Sequence, residues 1–353
     1  MPSGTAQREA IARATQAARQ QQLAWREAQA RAVQDLLGKI AGAIQQELMR
    51  LQDGGGDVRP EQIPALRDFV TGQSNDLFDA YRQIVMRALP ESARIGAQML
   101  AHTGSGISTD AMVTQVMAWL TSFRAADGLQ LSDRLWRIPR NAATELDLRL
   151  QNLIVRGQSS YQAALEYINQ GKPVPTALAD AMAQRRSMAL AVQAKRLLAD
   201  PHGDVLYAAQ RVLRTESNRA YTESYVSSVA QHPDVIGMKF MLSPNHPRTD
   251  ICDLYARANL HGLGPGVYPP GNTPYPAHPN TLSLLQPVFK DEVTDAHRAG
   301  QQTAFDWLRR QPAADQDSIL GKSKAIAFRA GMLQDDELRA PWHQVAARLG
   351  VQP

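Results

Sequence analysis

Between Gly237 and Phe289 the chain reads GMKFMLSPNHPRTDICDLYARANLHGLGPGVYPPGNTPYPAHPNTLSLLQPVF, and no regular element accommodates its middle. Gly262, Gly264, Gly266 and Gly271 alternate with Pro265, Pro269, Pro270, Pro274, Pro276 and Pro279. Proline removes a backbone donor and fixes φ, and glycine weakens any ladder it enters. On the near side Met238, Phe240 and Leu242 lie two apart, the period of a strand. On the far side Leu282 and Leu284 repeat that period, and Val288 follows after an expected break at Pro287. Two strands joined by a long irregular loop are therefore predicted, and a loop of this length inside a compact domain must be held by something.

The polar groups available to hold it are His246, Asp250, Cys252, His261, His278 and Asn280. His246, Cys252 and His278 have the chemistry of zinc ligands, with Asp250 as a weak fourth. Thr281 and Ser283 stand where further thiols would complete such a site, and a neutral hydroxyl is a poor ligand. The expectation is a loop held without metal, in which the strands pair, the prolines stiffen the chain and Cys252 is a small buried residue. A metal, if bound, would fall to His246, Cys252 and His278. No cofactor is expected.

The order of these features is recognisable. Arg214, Glu216 and Ala220 precede the first strand. His246, Asp250 and Cys252 follow it, then Gly264, Gly266, Tyr268 and Pro269 in a G-x-G-x-Y-P run, then His278, Pro279 and Asn280, and last a strand ending in Pro-Val-Phe. With the blocks Gly128 to Arg140 and Phe305 to Gly331, this pattern resembles the phage Mu F-like minor head protein family, the head-morphogenesis proteins, over roughly residues 105 to 335. Many members carry Cys-x-Cys straight after the HPN, where this chain has Thr281-Leu282-Ser283.

The resemblance implies a structural minor capsid protein of a tailed, Mu-like phage. Such a protein sits inside the head near the portal vertex, is assembled in the host cytoplasm, and aids assembly and DNA packaging or ejection. The implied partners are the portal protein and the major capsid or scaffold proteins, and contact with phage DNA is left open. No enzyme activity, membrane or small-molecule substrate is implied. Arg214, Glu216, His246, Asp250, Cys252, Gly264, Gly266, Tyr268, His278 and Asn280 become structural motif residues, with Arg214 and Glu216 anchoring their helix to the loop. The alternative is a metal-dependent nuclease, for which HPRTDIC with a downstream HPN is the only pointer, or an effector delivered with the DNA.

The flanks read as helix. Hydrophobic residues make up 44% of the chain but aromatics only 6%, which suits packed Ala-rich helices better than a β-sandwich. Residues 5 to 51 predict one long helix, in which Val33, Leu37, Ile40, Ile44, Leu48 and Leu51 form a coiled-coil-like seam. Its first half lacks an apolar stripe and is expected to be either frayed or ordered by a partner, while the seam packs either on a partner or on the chain's own core. Gln52 to Asp57 is a Gly-rich break. The predicted fold class is mainly α, with a small α+β module of two or so short strands and the long Gly/Pro loop. The predicted segments are the N-terminal helix 1–51, a helical domain 58–231, the α+β module 232–290 and a C-terminal helical region 291–353.

Chemistry of other kinds has little support. The single cysteine excludes an internal disulfide. No apolar run approaches a membrane span, and the N-terminus lacks the apolar core of a secretory signal, so a reducing compartment is expected. A net charge of +4 does not by itself indicate nucleic acid. There is no phosphate loop, no dinucleotide fingerprint, no serine elbow and no Cys–His protease signature. Glu216 could be imagined as a general base, but the sequence supplies neither cleft nor partner for it.

Overall fold

The computed structural model describes residues 4–51, 62–124, 128–145, 167–176, 195–200, 204–244, 246, 248–278, 281 and 283–352. The fold is mainly α with one small three-stranded antiparallel sheet, as the patterning predicts. In chain order the helices before the sheet are α1 (Gly4–Leu51), α2 (Ile63–Ala97), α3 (Thr109–Ser122), α4 (131–145) and α5 (Asp204–Val229). Then come β1 (Val235–Met241), α6 (Ile251–Arg257), β2 (Val267–Tyr268) and β3 (Leu284–Phe289). The chain closes with α7 (Asp295–Ala299), α8 (Ala304–Arg309), α9 (Ala313–Leu320), α10 (Lys322–Arg329) and α11 (Trp342–Leu349). The Gly-rich break at 52–57 and most of the helices expected between residues 146 and 198 lie outside the described residues.

Two compact units result, each built from separated segments rather than from the consecutive domains expected. The first comprises Met1–Arg26, Ala88–Leu131 and Arg214–Pro353, the second Glu27–Arg87 and Ser132–Leu213. In the second unit the predicted seam of α1 is core. Val33, Leu37, Ile40, Ile44 and Leu48 are all buried, together with Leu77, Tyr81 and Val85 of α2. The Tyr81 hydroxyl donates to the Ala209 carbonyl at 2.8 Å, so even the polar tip of this buried ring is satisfied.

In the first unit the early turns of α1 are buried without an apolar stripe. Ile11 and Ala18 are apolar, but Thr15, Gln22 and Arg26 on the same side are buried polar groups. They pair with polar groups elsewhere in the unit. Thr15 Oγ1 lies 3.1 Å from the Tyr225 hydroxyl, and Gln22 Nε2 donates to Ser92 Oγ and to the Ser217 carbonyl, each at 3.3 Å. The half of α1 expected to need a partner is thus ordered by its own chain, through hydrogen bonds that an apolar periodicity cannot register.

Several predicted boundaries move. The helix expected to end at Leu89–Pro90 runs on through Pro90 to Ala97. Ala88, Leu89 and Ala93 around it are fully buried, and Trp25 Nε1 donates to the Ala88 carbonyl at 3.2 Å, so packing outweighs the bond that proline removes. Ser132, expected as a cap, lies inside α4, which starts one residue earlier. The helix expected over 292–310 is two, each opened by a threonine. Thr294 accepts from the His297 amide and Thr303 from the Asp306 amide. Phe305 and Leu308 point inward as expected, but Ala296 is exposed. The helix expected over 315–330 is split by Gly321, whose φ of 78° no helix tolerates.

The sheet has the order β2-β1-β3. Proline at 287 sits inside β3, opposite Met238, rather than breaking it. An edge strand tolerates this because one row of its donors has no ladder partner. The inward residue of β3 is Leu285, opposite Phe240, and not Leu284; one residue of register exchanges the faces. Met238, Phe240, Tyr268 and Leu285 join the main core of this unit, while Val267, Val288 and Val293 form a smaller cluster.

Candidate functional site: the β1–β3 loop and the cavity beside it

The loop is not structureless. Asp250 and Asp253 form a reciprocal capping box that starts α6. Asp250 Oδ1 accepts from the Cys252 amide at 2.7 Å, and Asp253 Oδ2 accepts from the Asp250 amide at 3.0 Å. The box also gathers the histidines. His246 Nε2 lies 2.9 Å from Asp253 Oδ2 and 3.8 Å from Asp250 Oδ1, and His278 Nε2 lies 3.4 Å from Asp250 Oδ2. Arg257 reaches Asp253 Oδ1 at 3.2 Å. Asp253 was not singled out from the sequence. Its signal was the spacing Asp-x-x-Asp, which opens a helix where the Gly/Pro density suggested only loop.

Cys252 is buried, and its Sγ lies 3.9 Å from Thr281 Oγ1. Burial, reinforced by the neighbouring Asp250 charge, pushes the thiol up to about 12. Among the described residues, donor atoms fall into two overlapping sets, Asp250 with Cys252 and His278, and His246 with Asp250 and Asp253. The three ligands expected from sequence, His246, Cys252 and His278, do not share one set. The groups fit a resident metal poorly. Each carboxylate oxygen already faces an amide, a histidine or Arg257.

The glycine run makes close backbone approaches. Gly266 has φ 73°, and a Cβ there would stand 2.4 Å from the Ala256 carbonyl oxygen. Gly264, at φ 112°, packs against the His297 ring, and its amide donates to Asn259 Oδ1 at 3.2 Å. Tyr268 is buried and donates to the Tyr255 carbonyl at 3.0 Å, tying β2 back to α6. His261 stacks edge-on to Tyr268, and burial lowers its pKa.

On α5 Arg214 is half-buried and Glu216 is buried. Glu216 Oε2 lies 3.1 Å from Arg219 Nε on the same helix, and the Arg219 guanidinium covers the Phe123 ring at 4.4 Å. From α5 Asn218 donates to the Thr281 carbonyl at 3.3 Å and so ties this helix to the loop. Asn280 lies outside the described residues.

Beside the loop, within the same unit, is a cavity of about 280 Å³. The α1 side contributes Arg19, Gln22, Leu23 and Arg26. From α5 come Asn218, Tyr221, Thr222 and Tyr225, and from the loop and β3 come Tyr275, Thr281, Ser283 and Leu285. Burial raises the Tyr275 phenol to about 12 and moves Tyr221 and Tyr225 upward as well, so all three are neutral hydroxyls at physiological pH. No sequence signal announced the cavity, because its residues come from four distant segments. Among the described residues no helix is long and apolar enough to cross a membrane. Compared with family models, with curated proteins and with solved structures, the chain matches none.

Proposed function

We propose that the chain is a structural minor head protein of a tailed, Mu-like phage, acting near the portal vertex with the portal and capsid or scaffold proteins as partners. One observation carries the reading: the residues of the resemblance do architectural work. Asp250 caps a helix, Gly266 admits a backbone crossing, Tyr268 ties a strand to α6, and the His246 and His278 rings are held by Asp250 and Asp253. A nuclease would need a carboxylate–histidine centre with oxygens free for a metal and substrate, and here those oxygens face protein groups. The test is to look for the chain in purified particles by mass spectrometry and to incubate the purified protein with plasmid DNA and Mg²⁺, Mn²⁺ or Zn²⁺. The expected result is a few copies per particle and intact DNA. Nicking that disappears in a His246→Ala, His278→Ala double variant would replace this reading with the nuclease.

A further inference from the structure

We propose that the exposed face of α4 binds single-stranded DNA, with the Trp136 ring as a platform for a base and the Arg137 and Arg140 guanidiniums as anchors for the flanking phosphates. The site is independent of the head-protein reading. Trp136 is 49% exposed, although tryptophan is highly buried on average. Arg137, Arg140, Asn141 and Thr144 are exposed beside it, at spacings of three and four that keep them on one side of the helix. The Arg140 guanidinium lies over the Trp136 ring, 4.6 Å from its centre. Stacking engages the flat face of a guanidinium and leaves its in-plane N–H donors for an anion. Among the described residues neither Arg137 nor Arg140 enters an ion pair. Asp133 and Glu145 stand at the two ends of α4 and are already engaged, as is Arg134. Between those two carboxylates the only charged residues of the helix are arginines.

The combination of groups selects the occupant. A single strand repeats a flat base and a phosphate along its length, and an open indole flanked by guanidinium forks meets both. Residues one turn apart, such as Trp136 and Arg140, have Cβ atoms about 5–6 Å from each other, so one nucleotide can reach both. A duplex keeps the faces of its bases inside the stack and leaves the ring without a partner. An acidic peptide would meet the guanidiniums but has no flat group to lay on the indole. An anionic membrane surface calls for a broad apolar face, and Trp136 is the one large apolar side chain that α4 exposes.

Anisotropy titration of a fluorescein-labelled oligothymidine with the full chain, repeated over a range of salt concentrations, tests this. The wild-type chain should bind saturably at low salt. Trp136→Ala should weaken binding about tenfold, the loss of one stacked base. Arg137→Gln combined with Arg140→Gln should weaken it as well, and should reduce the slope of log affinity against log salt by about 1.4, the share of two phosphate contacts on a single strand. Lys172→Gln combined with Lys322→Gln removes the same charge from exposed positions off α4 and should leave affinity and slope as in the wild type. Every substituted side chain is exposed, so the thermal unfolding curves should coincide. The proposal is overturned if the wild-type chain shows no saturation, if Trp136→Ala binds as tightly as the wild type, or if the lysine pair weakens binding as much as the arginine pair, because charge alone then accounts for it. It is equally overturned if a DNA duplex of the same length, polyglutamate or phosphatidylglycerol vesicles bind more tightly than the oligothymidine.

Discussion

Gly266 concentrates two constraints at one position. Its φ of 73° belongs to the left-handed region, and the space where a Cβ would go is occupied by the Ala256 carbonyl. Gly266→Ala should therefore destabilise the unit by about 3 kcal/mol, backbone strain and overpacking acting together. Urea unfolding would measure it, and a loss under about 0.5 kcal/mol would mean that the α6–β2 crossing yields easily. Cys252 offers a second test at this scale. A buried thiol raised to about 12 is almost wholly protonated through pH 9, so alkylation of the native chain should be slow and nearly flat between pH 7 and pH 9. Rapid labelling that climbs through pH 8 would show an ordinary accessible thiol. Cys252→Ala should cost only about 1 kcal/mol, and metal analysis of the purified chain should find no stoichiometric zinc. One tightly held zinc per chain, with unfolding on chelation, would restore the three-ligand staple.

Elements were legible where one force dominated. The long helix α1 and the strand β1 follow directly from periodicity, because Val33 to Leu48 and Met238 to Phe240 are buried apolar rows. The same signal failed where proline and glycine were taken as stops. Pro90 lies in a helix whose neighbours are fully buried, and Pro287 lies on an edge strand that does not need its donor. In the loop the density of Gly and Pro hid α6 and β2, although the box Asp250–Asp253 was present in the sequence. Helix contact was equally hidden. A Cβ on Gly96 of α2 would stand 2.4 Å from the Tyr221 carbonyl and 2.8 Å from the Tyr225 amide, so α2 and α5 meet backbone to backbone there. Ala220, Ser217, Ser224 and Ser228, all fully buried, leave room for such close packing on α5. Gly96→Ala should lower stability by about 2 kcal/mol despite improving helix propensity, because neither backbone can move far. Propensity alone predicts a stabilisation, so the sign of the change in urea midpoint separates the two accounts.

At the scale of the molecule, the N-terminal helix decides how the chain is read. From sequence it looked like a separable contact element, with a seam for a partner and a Gly-rich break behind it. In the structure Ile11 and Ala18 belong to the core of the first unit, and Val33, Leu37, Ile40, Ile44 and Leu48 to that of the second. Burying a side chain of this size contributes about 1.5–3 kcal/mol, so these residues together contribute on the order of 10 kcal/mol, as much as a whole domain's net stability. Losing α1 would also orphan the polar partners of Thr15 and Gln22. Deleting residues 1–51 should consequently yield a chain that aggregates, or that lacks a cooperative thermal transition. Shortening the chain only to residue 4 removes none of these contacts and should leave the transition unchanged. If the 52–353 fragment instead stays monomeric and melts cooperatively near the full chain's midpoint, α1 is an accessory arm, and its burial contributes far less than its area implies.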